Sequence, residues 1–304
     1  MVVGFDTSNY TTSVAAFDGE RGCNRSRLLD VKSGELGLRQ SDALFSHVKR
    51  LPALSEALFS EMRERITAVG ASTRPRAVEG SYMPCFLAGE GQARSLAAAL
   101  GVPFHPFSHQ QGHIAASLWS AGRMDLIKTP HLAWHLSGGT TELLLVEPEG
   151  KTVRATKLGG TTDLSAGQLI DRTGQLLGLS FPSGKALDAL SRESDCRDFY
   201  KVRLNGLDFS FSGLQNKVQQ RFCAGAEPAE TARYTLNCVC RCISAVTREA
   251  RKEYVGYPVV FSGGVSSNTL LRELCSDGDF VFCPPQFSTD NAMGVAVLTW
   301  LEEQ

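Results

Sequence analysis

Two 16-residue stretches decide the fold of this chain: HLAWHLSGGTTELLLV, from His131 to Val146, and VVGFDTSNYTTSVAAF, from Val2 to Phe17. Each reads as an apolar strand, a small polar turn and a second apolar strand. A shift of 129 positions lays one on the other. Ser8 then falls on Ser137, Thr11 on Thr140, Thr12 on Thr141 and Phe5 on Trp134, and the run Val14 to Phe17 falls on Leu143 to Val146. Similarity at a fixed offset indicates duplicated structural units. The length of 304 residues agrees with two lobes, expected over 1–130 and 131–304.

Outward from these hairpins, strands and helices alternate. Leu44, Phe45, Val48 and Leu51 recur at helical spacing, with Ser41 or Asp42 as the cap and Pro52 as an interruption or kink. Helices are also expected over 86–100, 231–254 and 291–301, and strands over 102–107 and 258–261. This alternation is an α/β pattern.

Composition narrows the function. The net charge of -1 and a pI near 6.6 exclude a protein that grips nucleic acid by bulk charge, while leaving room for a local basic face. No run of 18 apolar residues predicts a membrane span, the start reads as a strand rather than a leader, and a cytoplasmic protein is expected. The nine cysteines include no CxxC pair, so reduced and mostly buried thiols are expected. Cys238 and Cys242 share a helix face, but a thiolate metal site is not expected there.

Turns of Gly, Ser and Thr expose backbone N–H groups and form concavities that bind phosphate. Ser137-Gly138-Gly139 and Ser262-Gly263-Gly264 each follow an apolar strand directly. Asn268, just past the second turn, has two readings: a ribose or base contact, or a helix cap. The motif HQQGH puts His109 and His113 four residues apart, on one helix face, where both can reach one ion. Gln110 stands where zinc peptidases of this pattern carry their glutamate base, and an amide cannot take the proton. Asp290 is a candidate third ligand, with helix capping as its other reading. Two imidazoles and a carboxylate suit iron(II) or zinc.

Taken in order, GFDTS, HQQGH, LSGGTTEL, DRTGQLLGLSFPSGK, DFSFSGL, SGGVSSNTLLREL and STDNAMGVA resemble the motifs of the TsaD family (also called Gcp or Kae-type proteins) nearly end to end. The resemblance implies an actin-like fold of two duplicated lobes, with ATP or threonylcarbamoyl-adenylate in the cleft. It matches His109, His113 and Asp290 to the ligands of one divalent metal, iron or zinc. Leu136, Ser137, Gly138 and Gly139 match the phosphate loop, and Asp171, Gly184 and Asn268 the ribose and adenine contacts. Ser137 and Asp6 are the expected catalytic residues. The implied activity moves threonylcarbamoyl to the adenosine beside the tRNA anticodon, with a dimerising TsaB-like paralogue and a small ATPase as partners.

The chain departs from the family pattern at several positions. Tyr10-Thr11 replaces an acidic pair, Thr140 a histidine, Gly80-Ser81-Tyr82-Met83-Pro84 a Gly-Pro-Gly loop, Asp163-Leu164 a second acidic pair and Gln168 a glutamate. Binding with weak or partner-dependent transfer is therefore expected. The alternative is a paralogue that binds nucleotide and metal and serves a true transferase; a metallopeptidase ranks third, with Gln110 against it.

Overall fold

The computed structural model describes residues 1–8, 10–30, 39–276, 279–284, 287 and 292–304. By contacts the chain divides into two units, Met1–Thr129 with Glu147–Ala155 and Gln286–Gln304, and Pro130–Val146 with Thr156–Pro285. The segments 147–155 and 286–304, assigned to the second lobe from sequence, therefore pack with the first.

In the first unit the order is β1 (Val2–Thr7), β2 (Thr11–Phe17), β3 (Gly22–Leu28), α1 (Gln40–Glu61), β4 (Ala68–Arg74), α2 (Phe86–Leu100), β5 (Phe104–Ser108) and α3 (His109–Ser120). The second unit holds β6 (His131–Leu136), most of β7 (Thr141–Glu149) and of β8 (Thr152–Thr161), α4 (Ala166–Leu176), α5 (Gly184–Ser191), β9 (Leu204–Asn205), β10 (Asp208–Phe209), α6 (Ser212–Cys223), α7 (Pro228–Glu253), β11 (Val259–Ser262), α8 (Thr269–Leu274) and β12 (Phe280–Phe282). The closing helix α9 (Met293–Glu302) belongs to the first unit.

The internal repeat survives in the sheet register. Val2 pairs with Phe17 and Thr7 with Thr12 across the first hairpin. His131 pairs with Val146 and Leu136 with Thr141 across the second, the same pairs moved by 129 positions. One sheet runs β3-β2-β1-β4-β5. The other runs β12-β11-β6-β7-β8-β10-β9, so β8-β7-β6-β11-β12 repeats the first order before the short strands are added.

Side-chain alternation sorts the first sheet into two faces. Val2, Ala15 and Phe17 pack with Ala115 of α3 and Val295, Ala296 and Leu298 of α9. Val3, Phe5, Val14 and Ala16 pack with Leu51 and Leu58 of α1 and Ala93 and Ala97 of α2. Helix α1 runs from Gln40 to Glu61 with Pro52 inside it, and its N-cap Arg39 makes no side-chain cap, so neither Ser41 nor Asp42 caps it. In the second unit, Leu236, Val239, Ile243, Val246 and Ala250 form the buried stripe of α7 against Leu132, Trp134 and Leu143. The Trp134 indole N–H donates to Thr247 Oγ1 at 2.9 Å, which satisfies a polar atom deep in that core.

The tightest approach joins α3 to α9. A Cβ built on Gly294 would lie 1.8 Å from the Gly112 carbonyl oxygen, so only glycine lets the helices meet there. At Gly112 the demand is milder: a Cβ there would meet the Val295 Cγ2 methyl at 3.2 Å. Gly294→Ala is expected to lower unfolding free energy by about 1–3 kcal/mol through overpacking. Gly138→Ala, where a Cβ meets nothing within 4 Å, is expected to change it by less than about 0.5 kcal/mol. Urea denaturation of both variants measures the contrast.

Candidate functional site

In the first unit, Ser108 opens α3 with a capping box. Its hydroxyl oxygen accepts from Gln111 N at 3.2 Å, and Gln111 Oε1 accepts from Ser108 N at 2.9 Å. The other end of the Gln111 amide donates to Val153 O at 3.0 Å. With the first turn fixed in this way, His109 and His113 stand one above the other, their Nε2 atoms 2.9 Å apart. His109 Nδ1 lies 2.7 Å from Asp6 Oδ2, and Asp6 is 1% exposed. Asp6 Oδ1 accepts from Ser8 N at 2.9 Å. A carboxylate on the far nitrogen fixes the tautomer and turns Nε2 toward a ligand position, the usual outer partner of a metal-binding histidine. Asp6, buried behind the imidazole, is placed to orient His109.

Two nitrogens on one tetrahedral zinc at about 2.0–2.1 Å stand roughly 3.3 Å apart, so a small ring movement suits the pair to a divalent cation. Among the described residues, no set of three His, Cys, Asp or Glu side chains is arranged around one ion position. Asp290, the expected third ligand, lies outside the described residues.

His47, fully buried on α1, places Nδ1 2.8 Å from Thr12 Oγ1 at the first turn. Burial pushes its pKa below the ordinary value, against the opposing pull of the Ser8 carbonyl and the Asp6 carboxylate.

In the second unit, the residues expected to bind nucleotide are joined through a short chain of contacts. Ser137 Oγ accepts from Gly139 N at 3.3 Å and Thr140 N at 3.0 Å, closing the turn on itself. Among the described residues, no imidazole, carboxylate or amine is hydrogen-bonded to that hydroxyl, and Ser137 shapes the loop. Gly138 and Gly139 face open space where a Cβ would stand. Behind the loop, Ser165 Oγ donates to Gly138 O at 2.7 Å and caps α4. Gln168 completes that capping box, a role glutamine and glutamate fill alike.

The second glycine turn lies in the same unit, beside the first. β11 pairs in parallel with β6, and Gly263, at φ 89°, sits where a Cβ would fall 2.1 Å from the Leu136 carbonyl oxygen. Further along α4, Asp171 Oδ1 accepts from Ser183 N at 2.8 Å, which sets Gly184 at the start of α5. Burial raises the Asp171 pKa, partly offset by that N–H. One turn on, Asp188 Oδ1 accepts from Asn268 Nδ2 at 2.8 Å. Asn268 Oδ1 accepts from Leu271 N at 3.1 Å, so its amide is engaged at both ends and the capping reading holds.

Sequence reasoning missed two organising carboxylates. Asp188 also accepts from the Thr269 hydroxyl at 3.0 Å and pairs with Arg192 at 2.7 Å, tying α5 to α8. Asp163 gathers DFSFSGL: it accepts from Ser210 Oγ, Ser212 Oγ and Phe211 N, the last at 2.9 Å. Partial burial would raise its pKa, but these donors outweigh it and hold the carboxylate well below its usual range. The signal in the sequence was only an aspartate retained at a position where the family carries two acids.

Two solved structures show the same kind of fold. The chain is similar to full-length HypF, solved in a phosphate- and nucleotide-bound form (TM-score 0.63, 13% identity, 99% of this chain and 46% of that one). It is also similar to a ROK hexokinase from Thermus thermophilus (TM-score 0.52, 17% identity, 100% and 99%). With paired hairpins in matching register, this is an actin-like two-unit fold. At the level of sequence, the family model described as tRNA N6-adenosine threonylcarbamoyltransferase matches residues 37–297. A protein of that name from Thermus thermophilus is 32% identical over 100% of this chain and 93% of its own length. One from Lactococcus lactis subsp. cremoris is 30% identical over 99% and 91%. The chain belongs to the TsaD family.

Two outcomes follow from the first unit. Purified protein is expected to carry about one equivalent of iron or zinc by elemental analysis, and His113→Ala to lose it while keeping its melting curve. Because the folded-state pKa of His47 lies below 6.5, the unfolded chain binds the extra proton in acid, and stability falls as pH drops below that value. His47→Gln should flatten the fall in urea midpoint as pH drops below about 6.5.

Proposed function

We propose that this chain transfers a threonylcarbamoyl group from its adenylate to the exocyclic amine of the adenosine beside the tRNA anticodon. One observation carries the reading: the Ser-Gly-Gly loop, the start of α4, Asp171 and Gly184 form one connected surface in the second unit of a TsaD-family chain.

The chemistry of that surface suits an adenylate. Bare backbone at Gly138 and Gly139 leaves room for phosphate oxygens. The N-terminus of α4 behind them favours negative charge. Asp171 offers a carboxylate for ribose hydroxyls. The amine attacks the carbamoyl carbon, the bond from that carbon to the phosphate oxygen breaks, AMP leaves with the electron pair, and the amine proton passes to water. Donors already in place where the leaving phosphate gains charge lower the barrier. His109 and His113 would hold a divalent cation, iron or zinc, with Asp6 orienting His109. Such an ion, when bound, supplies Lewis acidity toward a carbonyl or phosphate oxygen.

A second reading rests on the departures. Tyr10 and Thr140 replace ionisable groups, and no described base is bonded to Ser137. A group that acts only in the transition state can be lost without loss of binding. Transfer that depends on a TsaB-like paralogue and a small ATPase is the form of the proposal that accommodates this.

The test is a transfer assay with tRNA, threonylcarbamoyl-adenylate and those partner proteins, the modified nucleoside being measured in hydrolysed tRNA. Weak transfer by the chain alone, rising with partners, is expected. Gly138→Val should abolish ATP binding in calorimetry with the melting curve unchanged. A folded chain that binds nucleotide and transfers nothing with every partner present would establish the binding paralogue instead.

A further inference from the structure

The outer face of α7 carries a groove of about 490 Å³ that no step above uses. Lys201, Arg241, Arg248 and Arg251 line it, together with Phe199, Tyr200 and Phe280. Among the described residues, none of those four cations has a carboxylate within 4.0 Å or a hydrogen-bond acceptor in the protein. Two are instead laid over rings: the Arg241 guanidinium is 4.7 Å from the Phe199 centroid and that of Arg251 is 5.2 Å from the Phe280 centroid. Unpaired cations collected in one place repel one another, and an incoming polyanion relieves that repulsion.

The groove is built, not incidental. Asn237 on α7, 2% exposed, donates to Cys196 O at 2.9 Å and Asp198 O at 3.1 Å. Tyr200 N donates to Cys238 Sγ at 3.1 Å. These bonds pin the aromatic wall at 199–200 against the helix. The floor is small and apolar: Cys238, Cys242, Ala245 and Cys275. Burial raises the Cys238 thiol to about 11 and Cys242 to about 12, so both are neutral packing groups and no thiolate competes for an anion. Thr247, also on the lining, bonds to Trp134, two residues before Leu136 on the strand that leads into the Ser-Gly-Gly loop.

We infer that this groove is an RNA-docking surface, taking phosphates on Arg241, Arg248 and Arg251 and a base against the Phe199–Tyr200 wall. The inference rests on the reading of tRNA as substrate. Arg241 to Arg251 spans about 15 Å of helix, the length of about four stacked nucleotides. Arginines beside aromatic rings suit a strand with both phosphates and π-faces. An acidic peptide would use the charges and leave the rings idle. In a chain of net charge -1, a local cluster is what makes such binding directional.

Labelled tRNA and fluorescence anisotropy at several salt concentrations give the test. The triple variant Arg241→Gln, Arg248→Gln, Arg251→Gln should bind at least about tenfold more weakly at 0.1 M salt, with a log–log salt slope shallower by about two to three. Phe199→Ala with Tyr200→Ala should weaken binding about tenfold and leave the slope unchanged. Arg94→Gln, on α2, is the single-charge control, and ATP affinity and melting temperature should be unaltered throughout. Equal affinity and slope in the triple variant overturn the inference, as does a wild-type chain with no tRNA binding at 50 mM salt. It is overturned too if polyglutamate responds to the triple variant and tRNA does not. Transfer by the wild type with an unchanged KM for tRNA in the triple variant would remove the groove and leave the proposed function standing. Groove-dependent tRNA binding without any transfer would do the reverse.

Discussion

The first unit depends on one close approach: the α-carbon of Gly294 against the carbonyl of Gly112. A side chain at Gly294 would meet the backbone of α3 and drive α3 and α9 apart. The consequence reaches beyond packing. Helix α3 carries both histidines, and α9 begins three residues after Asp290 in the sequence. The glycine contact thus brings two motifs far apart in the chain onto neighbouring helices. The main-chain amide of Ala292 adds to this by donating to Asn24 Oδ1 on β3 at 3.2 Å. Local helix propensity was sacrificed at Gly294 for tertiary contact, a trade in which packing outweighs the roughly 1 kcal/mol intrinsic cost.

The second unit is organised by carboxylates whose partners are mostly backbone N–H groups and hydroxyls. Asp163 holds the segment before α6, Asp171 the start of α5, and Asp188 the start of α8. Each satisfies donors that a helix terminus leaves without intrahelical acceptors. They fix turns that would otherwise cost conformational entropy to order. The expected ligand surface is therefore rigid where it is anchored and bare where a ligand would sit, at Gly138 and Gly139. Asn268 shows the other side of the same economy, for its amide oxygen caps α8 while its nitrogen donates to Asp188.

Departures from the family pattern sort by physical role. Gln168 replaces glutamate at no structural cost, because the capping box needs only an acceptor at that position. Asp163, the retained half of an acidic pair, keeps its backbone and hydroxyl donors. Leu164 is buried and its carbonyl accepts from Thr161 Oγ1 at 2.8 Å. Tyr10 is 39% exposed at the first turn, and its carbonyl accepts from Leu29 N at 2.7 Å.

What the sequence by itself determined was local or periodic. Two hairpins repeat at a fixed offset because each uses the same alternation and the same small turn, and the pairing register is a direct consequence. The histidines of HQQGH share a face because four residues make about one helical turn. Motif order identified the family. The tertiary structure alone decided the rest. It returned residues 147–155 and 286–304 to the first unit, set two glycine turns side by side in the second, and buried Asp6 behind His109. It also gave Asn268 to a cap and gathered arginines distant from any described carboxylate into one groove. These outcomes turn on which distant backbone atoms come within hydrogen-bond or contact distance. A one-dimensional pattern carries no record of that, since packing joins residues without regard to their separation along the chain.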